Sequence, residues 1–380
     1  MSPRRCVVLL SFLFCACGLL AQSAPPIHAD SARQRAETQL KAFMAARHVP
    51  GLSVAVGRRG EVIWAQSFGV SDLETGEKIT EQSVFPIGST SKTLTSLALG
   101  VLAEQKKLDF DAEVQSFVPY FPRKKYPITL RQLAGHLSGI RDYDMSMGEY
   151  DNTSQFNSVK EAVAVFATDP LLFEPGTKYA YSAYNFVLLS AAIEGASGRD
   201  FLSFMNESIV APAGLVQTVP LRSDAPVKGL VTCYAAGFGG IPQKASSVNV
   251  SNKWAAGGFA STSIDMVRLG NAILAGKLVR PETFTILTTR QRLKSGAETG
   301  AGYGMGWRSG MLRHPTSGRD LRVVHHGGTA NGAMSFFMII PEKQLTVSLN
   351  GNLLFQPFSE FSQQAYAIAA LFLDDEAMEK

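Results

Sequence analysis

A serine and a lysine stand three residues apart where a polar stretch gives way to an apolar one. Residues 87–93 read IGSTSKT, and LTSLALGVLAEQ continues a helix predicted over residues 89–105, so Ser89 and Lys92 share one helix face. A serine needs a nearby base to act as a nucleophile, and lysine can serve if burial or a second cation lowers its pKa. The N–H groups of a first helical turn could stabilise an oxyanion. Ser89 could equally be a simple helix cap.

Two other stretches could complete such a site. Tyr181, in EPGTKYAYSAYNF, precedes an apolar predicted helix, where its phenol could point into a cleft or lie buried under the helix. His325 and His326 precede two glycines in LRVVHHGGTANG, directly after a predicted strand. Because glycine lets another backbone approach closely, this strand edge could hold an extended substrate and supply an N–H group. A tight hairpin with a surface histidine is the alternative.

The elements that would position these residues are strands at both ends of the chain and helices between them. Residues 51–70 alternate in polarity around Arg58-Arg59-Gly60, which predicts two strands and a turn. Four more strands are predicted in YGMGWRSGML, LRVVHHGG, AMSFFMIIPE and QLTVSLNGN, and terminal helices at residues 30–47 and 358–373. The sequence therefore predicts an α/β (α+β) fold, an antiparallel sheet flanked by helices.

The same pattern predicts how the chain is divided. Residues 24–107 and 251–380 are expected to form one sheet-and-helix domain, and residues 108–250 an inserted, mostly helical domain. A chain of 380 residues, 46% of them hydrophobic, is long enough for the sizeable cores that this requires.

The N-terminal residues have the pattern of an export signal. Two arginines precede an uncharged apolar run from Cys6 to Leu20, and small residues suited to cleavage follow. The sequence predicts a signal peptide over residues 1–23, cleaved near Ser23, and a periplasmic or secreted protein. A retained membrane anchor or a lipid-modified Cys17 is the alternative. The mature chain would keep only Cys233, and therefore no internal disulfide.

Composition and motifs argue against several kinds of partner. Lys plus Arg is 36 and Asp plus Glu is 32, without a basic stripe, so nucleic acid is not expected. No His-Glu-x-x-His or Cys-x-x-Cys pattern occurs, and GGTANG lacks the Lys-Ser/Thr of a phosphate loop, so neither a metal nor a cofactor is predicted. The expected partner is a small-molecule or peptide substrate. Membrane contact is expected only through an uncleaved N-terminal segment, and the oligomeric state is not predicted.

Taken together, the motifs resemble the serine β-lactamase and penicillin-binding-protein family, in the class C-like (peptidase S12-type) branch that includes esterases and D-aminopeptidases. The family order is Ser-x-x-Lys, then Tyr-x-Asn or Tyr-Ser-x, then Lys/His-x-Gly on a strand. Residues 89–92, 181–183 and 326–328 follow this order as Ser-Thr-Ser-Lys, Tyr-Ser-Ala and His-Gly-Gly. The flanking stretches HLSGI, FEPGTKYAYS, KWAAGGFAST and YGMGW are also similar. The mitochondrial serine β-lactamase-like branch shares HLSGIR and a Tyr-Ser motif without the asparagine. The resemblance spans about residues 35–372.

The resemblance implies catalytic roles for three side chains and two amides. Ser89 would attack a carbonyl and become acylated, and Lys92 would take or relay its proton. Tyr181, its pKa lowered by Lys92, would share that work and protonate the leaving group. The backbone N–H groups of Ser89 and Thr329 would form the oxyanion hole.

It also implies that His326, Gly328 and Ala183 bind the substrate. His326 is preferred to His325 because Gly332 then follows at the family spacing, and it is expected to steady Tyr181 or a substrate carboxylate. A histidine anchors a carboxylate less well than lysine at neutral pH, which favours ester or peptide substrates. Ala183 stands where many relatives carry an asparagine that contacts the substrate, so classical β-lactam turnover is not expected.

The sequence therefore predicts a secreted serine hydrolase that acts through a Ser89 acyl-enzyme on a peptide, an amide or an ester. The alternative is a non-catalytic protein that binds peptides or cell-wall fragments, or serves as a scaffold, and retains the fold. His136, in GHLSGI, is expected to hold a turn by hydrogen bonding rather than to act in catalysis.

Overall fold

The computed structural model describes residues 27–378, so the predicted signal segment lies outside the described residues. The strands are β1 (Gly51–Arg58), β2 (Glu61–Gly69), β3 (Phe85–Pro86), β4 (Val219–Pro220), β5 (Tyr234–Ala236), β6 (Pro242–Lys244), β7 (Phe259–Ser261), β8 (Arg308–Arg313), β9 (Asp320–Ala330), β10 (Ala333–Ile340), β11 (Leu345–Gly351) and β12 (Leu353–Leu354). The α-helices are α1 (Ile27–Arg47), α2 (Ser91–Glu104), α3 (Leu130–Ala134), α4 (Val159–Ala164), α5 (Ala183–Ser197), α6 (Phe201–Met205), α7 (Trp254–Gly257), α8 (Ser263–Leu274), α9 (Pro281–Thr288) and α10 (Phe358–Met378).

The main sheet has six strands in the order β2-β1-β11-β10-β9-β8, and every neighbouring pair is antiparallel. The β1–β2 hairpin turns at Arg59 and Gly60, both in the left-handed region at φ 52° and 88°. Strands from the two ends of the chain meet where β1 pairs with β11. The predicted fold class, an antiparallel sheet flanked by helices, is confirmed.

Helices cover both faces of this sheet, and alternate side chains of one strand enter different cores. Phe336, Met338 and Ile340 of β10 pack in the core that also holds residues of α1 and α10. Phe337 and Ile339 face the opposite way, into the core that contains α2, α5 and α8. All eight residues of β10 are buried, because a strand with helices on both sides has no solvent face.

Helices α3 to α6 occupy the first part of the predicted insertion, and three short strands follow in its second part. β4 pairs with β7, whereas β5 and β6 form a small sheet with β12. These pairings connect residues 219–244 to elements on either side of the insertion. The division into two domains stays a prediction.

Several predicted boundaries differ from the structure; the last helix, for example, runs to Met378 and not to residue 373. The strand expected from Tyr303 begins at Arg308, because Gly306 adopts φ 82° and the preceding YGMGW segment is a buried irregular turn. The first helix begins at Ile27, ahead of the predicted start at residue 30. Between residues 27 and 378, no helix is both long and apolar enough to span a bilayer.

Candidate active site

Ser89 lies in a 3-10 turn, Gly88–Thr90, that leads directly into α2. The N-cap of α2 is Thr90, and no side-chain capping bond is made there. Ser89 is partly exposed, whereas Thr90 and the first residues of α2 are buried. The hydroxyl of Ser89 therefore faces a cleft instead of capping the helix.

The lysine and the tyrosine predicted from sequence both converge on the Ser89 hydroxyl. Lys92 Nζ lies 3.2 Å from Ser89 Oγ and also donates to the carbonyl of Ala256 at 2.5 Å. Tyr181 OH donates to Ser89 Oγ at 3.0 Å, from the residues just before α5. Two groups able to move the proton of Ser89 are thus within hydrogen-bonding reach of its hydroxyl.

Burial gives Lys92 the properties of a base. Its side chain is fully buried, and the resulting desolvation lowers its pKa from 10.5 to about 7, while the carboxylate of Asp142 opposes this shift. The ammonium lies 5.1 Å and 5.4 Å from the ring centroids of Tyr181 and Phe186. At neutral pH, a substantial fraction of Lys92 is therefore the neutral amine that can accept the Ser89 proton.

The expected lowering of the Tyr181 pKa is wrong. Burial is the largest influence and raises this pKa; the hydrogen bond to Ser89 opposes it, and the Asp142 carboxylate raises it further. A phenolate in this dry environment would lose its hydration, which the nearby Lys92 does not offset. Tyr181 is therefore a neutral phenol near pH 7, suited to donating a proton rather than to abstracting one.

The ring of His136 packs against the ring of Tyr181. Its ring centroid lies 4.2 Å from that of Tyr181, and its Nδ1 accepts hydrogen bonds from the Ser182 amide and from Asn185 Nδ2, each at 3.2 Å. Burial, with the charge of Lys92, holds the His136 pKa well below its usual value, so the ring is neutral. His136 thus positions Tyr181 through packing and through the backbone next to it.

Two glycines let strand β9 lie directly against the Gly88–Thr90 turn that contains Ser89. A Cβ atom on Gly328 would come within 1.9 Å of the Ile87 carbonyl oxygen. A Cβ on Gly88, at φ 48°, would come within 2.9 Å of the Thr329 amide nitrogen. Only glycine fits both positions. The close approach places the Thr329 amide beside the turn that contains Ser89, the two groups predicted to form the oxyanion hole.

His326 lines the cleft, and of its two expected partners, Tyr181 and a substrate carboxylate, the first is replaced by Tyr303. It is 2% exposed; its Nδ1 lies 2.6 Å from the Gly327 carbonyl and its Nε2 lies 2.9 Å from the hydroxyl of Tyr303. The Nδ1–H tautomer, which donates to Gly327 and accepts from Tyr303, satisfies both contacts. Burial also keeps its pKa well below the usual value. His326 therefore holds Tyr303 and does not steady Tyr181. His325 lies on the other sheet face, stacked on Phe336.

Ala183 begins α5 and lies at the wall of the cleft. Its N–H donates to Asp142 Oδ1 at 2.8 Å, so a carboxylate occupies the start of the helix. Sequence reasoning gave Asp142 and Tyr303 no role at the site, although Tyr303 begins the YGMGW stretch. Only the folded chain shows that both approach the Ser89 cluster.

Two cavities flank Ser89. One, of about 360 Å³, is lined by Ser89, Lys92, Ala183, Lys253 and Thr329, with Tyr143 and Tyr150 among its aromatic walls. The other, of about 470 Å³, is lined by Ser89, Tyr181, Arg308, His326, Gly328 and Thr329, and is bounded by Phe358 at the start of α10. Ser89 and Thr329 belong to both cavities, so a substrate that spans the cleft would pass directly over the nucleophile. Within the described part of the chain, no group of three or more His, Cys, Asp or Glu side chains could hold a metal ion.

A sheet covered by helices on both faces, with a serine just before a buried helix and a lysine in its first turn, is the arrangement of the β-lactamase/transpeptidase-like fold. The chain belongs to the beta-lactamase family, whose model matches residues 36–371. The predicted membership of the serine β-lactamase and penicillin-binding-protein group is therefore confirmed.

Several relatives are similar over most of the chain. The human mitochondrial serine beta-lactamase-like protein LACTB is 28% identical, over 79% of this chain and 70% of its own length. Penicillin-binding protein 4* of Bacillus subtilis (strain 168) is 27% identical, over 78% of this chain and 67% of its own. Family relatives include penicillin-binding proteins and amidohydrolases, so a serine hydrolase is the general kind of protein that the comparisons support.

Solved structures of the same fold include the octameric penicillin-binding protein homologue from Pyrococcus abyssi, with a TM-score of 0.77 and 25% identity. That match covers 90% of this chain and 77% of the other. A D-stereospecific amidohydrolase from Streptomyces sp. has a TM-score of 0.71 and 25% identity, covering 91% of this chain and 99% of the other.

Proposed function

We propose that this protein is a serine hydrolase that forms an acyl-enzyme on Ser89 and acts on a peptide, an amide or an ester. The observation that supports this most strongly is the convergence of Lys92 Nζ and Tyr181 OH on Ser89 Oγ, at 3.2 Å and 3.0 Å. A lysine with a pKa of about 7 beside a partly exposed serine has the properties of an activating base.

In the first half of the reaction, neutral Lys92 takes the proton of Ser89 as its oxygen attacks the substrate carbonyl. The developing oxyanion accepts hydrogen bonds from the amides of Ser89 and Thr329. Tyr181, a neutral phenol, gives its proton to the leaving group and recovers one from the Lys92 ammonium. The C–O bond to Ser89 forms, the bond to the leaving group breaks, and the protons balance.

In the second half, water attacks the acyl-enzyme. Neutral Lys92 accepts a proton from that water, and the resulting ammonium returns it to Ser89 Oγ as the ester bond breaks. Because the acyl group leaves as a carboxylic acid, the site returns to its starting protonation state. The residues that held the first oxyanion hold the second one in the same position.

The substrates that we propose are esters and peptides rather than classical β-lactams. Ala183 has no side-chain amide to contact the substrate. His326 is a neutral ring whose two nitrogens already have partners. A D-stereospecific amidohydrolase among the similar structures makes D-amino-acid amides a natural part of the substrate range to test.

The experiment that tests this function combines a covalent probe with a substrate panel. A fluorophosphonate is expected to label wild-type protein at Ser89 and not the Ser89→Ala variant. 4-Nitrophenyl esters, nitrocefin and peptides ending in D-Ala-D-Ala then identify the preferred chemistry. A folded wild-type protein that is neither labelled nor active on any substrate would contradict the proposal. Peptide binding without turnover, equal in wild type and Lys92→Ala, would favour a non-catalytic binding protein.

We also propose that the protein is exported, on the basis of the N-terminal pattern over residues 1–23. Fractionation of producing cells, with N-terminal sequencing of the mature protein, tests this. Recovery from the periplasm or the medium with a new N-terminus near Ser23 is expected. An intact N-terminus on protein in the cytoplasmic fraction would contradict it.

A further inference from the structure

The cavity on the Lys92 side of Ser89 has an uneven charge balance. The described residues that line it include three basic side chains, Lys92, Arg222 and Lys253, and no aspartate or glutamate. Arg222 is paired with Asp224 through two hydrogen bonds of 2.7 and 2.9 Å. Lys92 is engaged with Ser89 and a backbone carbonyl. Lys253 is therefore the cation of this cavity that is left to meet a ligand.

Lys253 is a buried cation whose partners are almost all uncharged. It is 7% exposed, its Nζ donates to the Tyr150 carbonyl, and it lies 4.6 Å and 5.2 Å from the ring centroids of Tyr150 and Tyr143. None of the ion pairs between residues 27 and 378 involves it, although the charge of Asp151 acts on it from a distance. An ammonium has three donors, so two remain beyond the Tyr150 carbonyl.

A buried charge of this kind lowers the stability of the folded protein unless an opposite charge pairs with it. Desolvation lowers the Lys253 pKa to about 8, which still leaves the ammonium as the major form at neutral pH. The two tyrosine rings stabilise the cation through their faces, but they do not neutralise it. A carboxylate entering this cavity would meet a desolvated, pre-oriented donor, the situation in which charge-assisted hydrogen bonds are strongest.

The backbone fixes this ammonium relative to the reacting centre. Lys253 immediately precedes α7, and the carbonyl of Ala256 in that helix accepts the hydrogen bond from Lys92. One short segment thus carries both the binding cation and the acceptor that holds the base. Asn249 and Asn331 line the same cavity and add neutral polar groups to it.

The position of Tyr181 identifies which half of the substrate enters this cavity. Tyr181 lines the opposite cavity, and Lys92 lines the Lys253 cavity. Because the leaving group must receive its proton from Tyr181, it departs into the cavity that Tyr181 lines. The acyl half, which stays on Ser89, therefore occupies the cavity that contains Lys253.

We propose that the acyl half of the substrate carries a carboxylate that accepts hydrogen bonds from Lys253. The remainder of the acyl half packs against Tyr143 and Tyr150. This inference rests on the proposed function, since it assigns the substrate class of the same site. The substrates are then acyl donors with an acidic side chain or a second carboxyl group.

Two esters that differ only in this charge test the proposal. The 4-nitrophenyl esters of 4-carboxybenzoic acid and 4-carbamoylbenzoic acid have nearly the same shape, and the rigid ring prevents the carboxylate from attacking its own ester. Wild-type protein is expected to show a kcat/KM ratio of at least about 10 in favour of the carboxylate, the lower range for a hydrogen bond to a charged group. The ratio is used because a general loss of activity in a variant cancels from it.

Three variants assign the preference to one side chain. Lys253→Met is expected to bring the ratio close to 1, and Lys253→Arg to restore a clear preference for the carboxylate. Lys125→Met, an exposed lysine that lines neither cavity, is the matched control and is expected to keep the wild-type ratio.

Each other outcome contradicts a particular part of the account. Hydrolysis of both esters by wild type at a ratio near 1 overturns the carboxylate preference and leaves the Ser89 mechanism standing. A preference that survives in Lys253→Met overturns the assignment to that residue. A wild type that hydrolyses neither ester and takes no fluorophosphonate on Ser89 removes the proposed function, and this inference with it.

Discussion

Replacing Lys92 with methionine is expected to abolish catalysis and, below neutral pH, to stabilise the fold. The side chain is fully buried between Ser89 and the Ala256 carbonyl. Methionine has a similar length and no charge, so it can fill the same space among the rings of Tyr181 and Phe186. The comparison therefore measures what a base at this position costs the folded protein.

The magnitude follows from the Lys92 pKa, which falls from 10.5 to about 7 on burial. Because one pKa unit corresponds to about 1.4 kcal/mol, holding the Lys92 ammonium in the folded state costs about 5 kcal/mol of folding free energy below pH 7. The folded protein binds fewer protons than the unfolded chain between pH 7 and 10.5, so this cost declines over that window, to about 2 kcal/mol at pH 9.

Methionine also leaves the Ala256 carbonyl without its donor, which costs about 1–3 kcal/mol. The variant is therefore expected to exceed wild type in free energy of unfolding by about 2–4 kcal/mol at pH 6, and to be nearly equal to it at pH 9. Urea unfolding followed by tryptophan fluorescence at both pH values measures this. Lys125→Met serves as the control that should show no such pH dependence. A difference between Lys92→Met and wild type that stays constant from pH 6 to pH 9 would refute the reasoning.

Three further substitutions or conditions test the geometry of the site. The rate of Ser89 acylation is expected to rise with pH around a midpoint near 7, because Lys92 must lose its proton; Asp142→Asn should move that midpoint lower, since the Asp142 carboxylate raises the Lys92 pKa. A midpoint unmoved in that variant would exclude the coupling. Tyr181→Phe removes the leaving-group donor and is expected to lower turnover about 100- to 10,000-fold, measured with an amide substrate; wild-type turnover would show that the phenol is dispensable. Gly328→Ala places a Cβ 1.9 Å from the Ile87 carbonyl oxygen and is expected to displace β9 and lower kcat/KM about 100-fold, whereas unchanged kinetics would show that the close approach is not needed.

The sheet could be predicted from the sequence because its signals are local. The turn at Arg59 and Gly60 and the runs that became β9 to β11 each carry the period-two pattern or the turn residues of a strand pair. The order of the strands, with β1 beside β11, could not be predicted in this way, since it depends on contacts across almost 300 residues. The YGMGW segment was wrongly predicted as part of a strand, because its apolar residues face a core although its backbone is not a strand.

The site was predicted where its residues have motif spacing and missed where they do not. Ser89 and Lys92 are one helical turn apart, so the sequence alone puts them together. The wrong direction for the Tyr181 pKa came from weighing the charge of Lys92 without the burial of the phenol, which only the folded chain shows. The packing of the His136 ring against Tyr181 and the place of Lys253 in the cavity wall depend on tertiary packing and leave no mark in the local sequence.

The most direct test of the account is to trap the acyl-enzyme. Wild-type protein mixed with an activated ester and quenched within the burst phase is expected to gain the mass of one acyl group, located by peptide mass spectrometry on Ser89. The adduct should form with the same rate constant as the burst of nitrophenol, and it should be absent from Ser89→Ala. Turnover without an adduct, or an adduct on a different residue, would contradict the claim that Ser89 is the nucleophile.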